Sequence, residues 1–167
     1  MSVTVQQTPA VTSFADLYRE TVRDVYAYVA TLVGDRSAAE DVVAQAYERA
    51  YRKRHRFDPA RGSARAWIFG IARNAALDEL RRRRRTVALV AEPADVPADD
   101  DPDLAARRAT VRAALGRLEP SDREIVALRY HGGLTNAEVA ALLGVSESNA
   151  GTRLHRAMTK LREACDA

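Results

Sequence analysis

Trp67 and Asn74 stand seven residues apart in a stretch dominated by helix formers. On a helix they fall within about 20° of each other and roughly 10 Å apart along the axis. An aromatic face and a two-sided amide on one stripe can stack and hydrogen-bond an unstacked base. Packing of Trp67 into a core is the plainer alternative. The same stretch ends in the run Arg81–Arg85. Five consecutive helical residues sweep about 400°, so only two or three of them can face one phosphate backbone. A solvated helix end is the other reading of that run, and it suits the helix macrodipole.

A second constellation lies between Leu134 and Leu161. Thr135-Asn136-Ala137-Glu138 has the form of a capping box, and Gly144-Val145 supplies a turn. Ser146 can cap a helix running from about Glu147 to Glu163, with Ala150, Leu154, Ala157, Met158 and Leu161 on one face. Asn149, Thr152, Arg156 and Lys160 fall on the far side, with Arg153 beside them and His155 nearer the edge. A helix buried on one side and rich in Arg, Asn and Thr on the other is what a DNA major groove admits. The spacing predicts a helix-turn-helix.

Catalytic chemistry finds little support. The acids read as capping groups or lie scattered between positions 86 and 103, and no Ser/His/Asp grouping occurs. His55 and His131 have no partners at metal-ligand spacing, and Cys165 is the single cysteine. No catalytic residue, metal or cofactor is expected.

The elements that position these groups are helices throughout. Ser13 can cap a first helix reaching Val33, with Leu17, Val22, Val25, Tyr26 and Val29 available for burial. Ser37-Ala38-Ala39-Glu40 reads as a capping box for a helix to about His55, burying Val42, Val43, Ala46, Tyr47, Ala50 and Tyr51. After the turn Phe57–Gly62, a long helix runs from about Ala64 to Arg85, with Ile68, Ile71, Ala72 and Ala75 on its core face. Further helices are expected near 104–118, 121–131, 135–143 and 147–163, with a capping box at Ser121–Glu124.

The net charge of +3 is segregated. Residues 14–85 hold 16 basic and 10 acidic side chains, and residues 104–167 hold 10 and 7. Residues 86–103 hold six acids, no base and three prolines, a composition that cannot order itself by burial. The expected architecture is all-α. It comprises a tail (1–12), a helical domain (13–85), an acidic linker (86–103) and a helix-turn-helix domain (104–164). Fully extended, the linker spans at most roughly 60 Å. Two basic modules flanking an acidic tether suggest a polyanionic partner. With no apolar run of membrane-spanning length and no signal-peptide pattern, a cytoplasmic protein without membrane insertion is expected.

The stretch from Ala39-Glu40-Asp41-Val42-Val43 through Arg56-Phe57-Asp58-Pro59-Ala60-Arg61-Gly62 and Trp67-Ile68 to Ile71-Ala72-Arg73-Asn74 and Asp78-Glu79-Leu80-Arg81 resembles region 2 of sigma-70-type RNA polymerase sigma factors. Within them it is most similar to the small extracytoplasmic-function (ECF) subfamily. Leu118-Glu119-Pro120 through Arg153-Leu154-His155-Arg156-Ala157 resembles that subfamily's region 4. The resemblance implies a promoter-specificity subunit, not an enzyme, that binds core polymerase at the clamp helices and flap and helps open promoter DNA.

It also implies roles for particular residues. Phe57, Arg61, Ser63, Trp67, Arg73, Asn74, Arg81 and Arg82 would face the melted −10 strand. Asn149, Thr152, Arg153, His155, Arg156 and Lys160 would face the −35 groove. Asp41, Val42, Gln45, Glu48, Arg49 and Arg52 would grip the polymerase clamp. An anti-sigma partner is a further implication. Three positions depart from the family pattern: Ala44-Gln45 replaces a Gln and an acid, Ala64 replaces a Phe, and Gly151 replaces a basic residue. Residues 118–161 taken alone also resemble the output domain of LuxR-type activators, which leaves a stand-alone regulator as the competing reading.

Overall fold

The computed structural model describes residues 13–86 and 101–167, and every regular element among them is helical. The expected tail lies outside the described residues, as does most of the expected linker. Three long helices form the first domain: α1 (Phe14–Val33), α2 (Arg36–Arg52) and α3 (Ala64–Arg85). Single 3-10 turns at Arg54–Arg56 and Pro59–Arg61 connect α2 to α3. The second domain comprises α4 (Pro102–Arg117), α5 (Pro120–Tyr130), α6 (Asn136–Leu143) and α7 (Glu147–Asp166).

Local chemistry sets most boundaries. Ser13 accepts the Asp16 amide at the start of α1, and Gly34 ends that helix at φ 71°, a left-handed turn that suits glycine. The capping box expected at Ser37 does not form. Asp35 takes the N-cap instead, accepting from the Ala38 amide at 3.0 Å, so α2 starts earlier than Ser37 and ends at Arg52 rather than His55. The box expected at Ser121–Glu124 is also absent, because Pro120 opens α5 with Glu119 before it. The Thr135/Glu138 box and the Ser146 cap form as expected. Helix α4 begins at Pro102 behind an Asp101 cap, drawing Pro102 and Asp103 out of the acidic linker.

The first domain is held together by Leu17, Val25, Val29, Val42, Ala46, Ile68, Phe69 and Ala72, all nearly or fully buried. Phe69 and Tyr28, ring centroids 5.5 Å apart, form its aromatic centre. Burial of each of the Leu, Val, Ile and Phe side chains among these contributes about 1.5–3 kcal/mol. Tyr51, expected inside, is 52% exposed and stands edge-on to Phe14. Ile125, Leu128, Leu134, Val139, Ala150 and Ala157 fill the second core. The two cores meet where α1 packs against α5.

Candidate nucleic-acid interface

The helix carrying the proposed base platform starts on its own cap. Ser63 accepts the Ala66 amide at 3.0 Å. Its hydroxyl also donates to Glu138 of α6 at 2.7 Å, so this serine already has a partner in the other domain. Trp67 is half-buried against the core edge, with the Phe57 ring 5.4 Å from its own and tilted by 48°. Asn74 is exposed. The pair is thus neither sealed in the core nor fully open. The tryptophan is braced by Phe57, and the amide projects to solvent two turns further on.

The arginines divide by what holds them. Arg82 makes two hydrogen bonds to Glu79, at 3.0 and 2.8 Å, and Arg83 reaches both Glu79 (3.0 Å) and Asp35 (3.1 Å). Hydrogen bonding from Arg82, joined by Arg83, holds the Glu79 carboxyl below its ordinary range against the opposing effect of burial. Arg81 bonds Asp78 at 3.1 Å and stays 63% exposed. Arg84 and Arg85 are exposed. Spacing selects among them: Arg81 lies seven residues beyond Asn74, and Arg81 and Arg85 both fall within about 20° of the Trp67–Asn74 stripe. That spacing was legible in the sequence. The placement of Glu79 three and four residues before Arg82 and Arg83 is legible in the same way, but the Asp35 partner of Arg83 is not.

Arg73 differs from all of these. Its Nε donates to Glu124 Oε1 of α5 at 2.5 Å, in a pair whose side chains are only 22% and 13% exposed. The Tyr28 hydroxyl donates to the same carboxylate oxygen at 3.2 Å. Burial, then the Glu124 charge, raises the Tyr28 pKa well above the usual phenol range, so this donor keeps its proton.

On α7, Asn149, Thr152, His155 and Arg156 are exposed along one face, and Arg153 is half-buried at its flank. Lys160 is held back, its Nζ 2.5 Å from Asp122 of α5. A β-carbon at Gly151 would meet nothing nearer than Asn136 Nδ2 at 3.7 Å, so packing does not demand the glycine. On α2, Asp41, Gln45, Glu48 and Arg52 are exposed and Arg49 half-exposed. Arg52 pairs with Glu48 at 2.6 Å, and Arg49 with Asp78 at 3.4 Å. Val42 is 1% exposed and belongs to the core, so its side chain cannot grip a partner.

The sequence reading missed the junction between the domains. Arg65 donates to Asp24 at 2.5 Å, to the His131 carbonyl at 3.1 Å, and to the Gly132 carbonyl. His131 is half-buried there with Thr31 Oγ1 3.5 Å from its Nε2, and burial pulls its pKa below the ordinary value. Gly132 is required by space, since a β-carbon would stand 2.3 Å from the Leu128 carbonyl. Beside this junction runs a groove of about 980 Å³ between α1, α2 and α4. Tyr18, Val22, Tyr26 and Val111 line it, with Arg107 and Arg108 at its α4 wall.

Comparison with known proteins assigns both domains. The sigma-70 region 2 family model matches residues 17–86, and the sigma-70 region 4 model matches residues 108–161. The ECF RNA polymerase sigma factor SigL of Mycobacterium tuberculosis is 33% identical over 150 residues, 87% of this chain and 85% of SigL. The chain belongs to the ECF sigma factors of the sigma-70 family. SigK of Mycobacterium bovis is 32% identical over 161 residues, covering 92% of this chain and 86% of its own length. The sigma factor RpoE of Bartonella quintana, solved with the anti-sigma factor NepR, matches at TM-score 0.79 and 25% identity over 92% of this chain and 97% of that one. As an ECF sigma factor the protein is a promoter-specificity subunit of RNA polymerase. A stand-alone LuxR-type regulator is set aside, because the region 2 match accounts for the domain that such a reading leaves over.

Among the described residues no helix is long and apolar enough to cross a membrane, and no cluster of metal-ligating side chains occurs.

Proposed function

We propose that α3 holds the unstacked −10 strand along one stripe. Trp67, backed by Phe57, gives the stacking face, and Asn74 reads the base edge. Arg81 and Arg85 continue the stripe toward the next phosphates, while Arg61, Ser63 and Arg73 border it. Arg82 serves mainly to hold Glu79 and contributes less to the strand than its neighbours. The observation that carries this reading is that Asn74 is accessible on the stripe that begins at a half-buried, braced Trp67.

The α7 face of Asn149, Thr152, His155 and Arg156 enters the −35 major groove, flanked by Arg153 on phosphate. Lys160 reaches DNA only by leaving Asp122. The α2 stripe of Asp41, Gln45, Glu48, Arg49 and Arg52 meets the polymerase clamp, with Val42 as the core support beneath it. The chain itself makes and breaks no bonds; the polymerase does. It acts in the cytoplasm, where its partner enzyme and DNA reside. An inhibitory anti-sigma partner is a further element of this reading, supported by the similar RpoE having been solved with one, and the size of the groove between α1, α2 and α4 suits that groove to receive it.

The test is reconstitution. Core polymerase alone should give no specific transcript, and core plus this chain should select promoters with paired −35 and −10 elements from genomic fragments. Arg156→Ala in the holoenzyme should weaken −35 protection, and Asn74→Ala should impair melting while leaving −35 protection in place. If both variants behaved as the parent, this assignment of residues would be wrong.

A further inference from the structure

A second run of positive charge stands where α2 gives way to α3. Positions 52 to 56 read Arg-Lys-Arg-His-Arg, and all five residues are exposed. The acids that flank the run do not neutralise it. Glu48 holds Arg52 at 2.6 Å, and Asp58 accepts the Ala60 amide at 3.0 Å. Arg49 and Arg52 already supply the last turn of α2 with the charge its dipole favours. Among the described residues, the side chains of Lys53, His55 and Arg56 take no hydrogen bond or ion pair.

The backbone sorts these groups. Arg56 donates its amide to the Lys53 carbonyl at 2.8 Å, closing a single 3-10 turn. Residues three apart in such a turn eclipse, which puts Lys53 and Arg56 on one side of it, roughly 6 Å apart. Arg54 is fixed separately. Its guanidinium carbon lies 3.9 Å from the centre of the Tyr51 ring, and its Nη1 donates to the Tyr51 carbonyl at 2.7 Å. Tyr51 is in turn steadied edge-on by Phe14. Unpaired bases stack on aromatic rings and guanidinium planes, and cations beside them track the phosphates of the strand.

This run adjoins the base platform. Phe57 follows Arg56, backs Trp67, and donates its amide to the Arg54 carbonyl at 3.4 Å. Stacking on Trp67 needs an unpaired base, whereas Arg81 and Arg85 at the other end of α3 offer charge that duplex phosphates also satisfy. The duplex bearing the −35 element lies upstream, so the opened strand leaves α3 at its Trp67 end, heading downstream. There it meets positions 53 to 56. The α2 stripe facing the polymerase mixes Asp41 and Glu48 with Arg49 and Arg52. A uniformly positive run beside an aromatic suits DNA better than that protein surface.

We propose that Lys53, Arg54 and Arg56 form a second single-strand site, holding two phosphates and one base of the opened strand just downstream of the −10 element. The site rests on the strand-reading role given above to Trp67 and Asn74. Lys53 and Arg56 each take a phosphate, and Arg54, stacked on Tyr51, carries the base between them. It strengthens the hold on the open strand without reading sequence, since every base has a face and every nucleotide a phosphate.

The test uses reconstituted holoenzyme on forked promoter DNA, duplex through the −35 element with a single-stranded −10 tail. One tail stops at the −10 element, and the other runs about ten nucleotides further. The parent should bind the longer tail more tightly, with a salt slope steeper by about 1.4, from two single-strand phosphates. The double variant Lys53→Gln, Arg56→Gln should lose that extra slope. Raising salt from about 50 to 200 mM should then cost it about sevenfold less affinity than it costs the parent. On the shorter tail the two chains should match. Arg54→Lys keeps the charge and gives up the flat surface, so its slope should hold while its affinity for the longer tail falls. An unchanged affinity would remove Arg54 from the site. No gain from the longer tail in the parent, or a gain that the double variant keeps, would overturn the proposal. Weaker binding of the double variant to core polymerase without DNA would overturn it too, by assigning the run to the enzyme. Asn74→Ala should weaken binding to both tails equally. No loss on either tail would overturn the −10 reading itself, a failure separate from any in the Lys53 and Arg56 variants.

Discussion

Gly70 and Leu142 belong to different domains, yet Leu142 Cδ2 stands 3.0 Å from the position of a β-carbon at Gly70. The glycine thus lets α6 come flush against α3. Its absent side chain, not backbone freedom, is what the contact uses, because no positive φ occurs there.

Cooperativity should follow from that closeness. Domains that share such an interface melt as one unit, and domains that do not melt separately. Scanning calorimetry of the parent should give one transition, and Gly70→Leu should split it into two. A split already present in the parent would mean that the contact adds little.

Acid should loosen the junction. Burial lowers the His131 pKa, with Asp24 opposing, so the packed state favours the neutral ring. Thr31 and Asp24 face it from α1 and Arg65 from α3, and Arg107, Arg108 and Arg112 of α4 line the same groove. For a base with a depressed folded-state pKa, stability is fully present above the ordinary value of about 6.5 and is lost as pH falls through the folded-state value. Melting temperature should therefore decline between about pH 7 and pH 5, and His131→Gln should flatten that decline. An equal decline in the variant would assign the effect to other groups.

Asp35 does two jobs at once. It caps α2 through the Ala38 amide and pairs with Arg83 at the far end of α3. Asp35→Ala should cost about 1–3 kcal/mol in urea unfolding, more than a cap alone. A loss under about 0.5 kcal/mol would show that Arg83 contributes nothing to holding this aspartate.

Arg156 and Arg85 should separate by what they read. Arg156→Ala should cost about 1–3 kcal/mol on the preferred −35 sequence and relax the choice of base there. Arg85→Ala should weaken holoenzyme binding evenly across promoters and reduce its salt dependence by about one phosphate contact. Competition binding over a panel of −35 variants at two salt concentrations reads both. Equal loss across that panel for Arg156→Ala would move it from base to backbone.

The elements were legible where the governing chemistry is local. Thr135 and Glu138 are three residues apart, and their capping box forms as the pattern says. The Ser37 and Ser121 boxes failed because stronger local signals stood just upstream: Asp35 after a left-handed Gly34, and Pro120 at the first helical position. The Trp67–Asn74 stripe follows from helical periodicity alone, and so does its extension to Arg81. Glu124 could not be read this way. Its partners Arg73 and Tyr28 lie 51 and 96 residues away, and no periodicity encodes such a pairing. For the same reason Ser63 and Arg73 read as open DNA contacts, whereas the fold already gives each a partner in the other domain.

The most direct measurement is permanganate probing of melted thymines on a promoter selected by the reconstituted holoenzyme, comparing the parent with Asn74→Ala. Loss of −10 reactivity in the variant, with the −35 footprint kept, is the predicted result. Undiminished −10 reactivity in Asn74→Ala would contradict the claim that this stripe of α3 captures the opened strand.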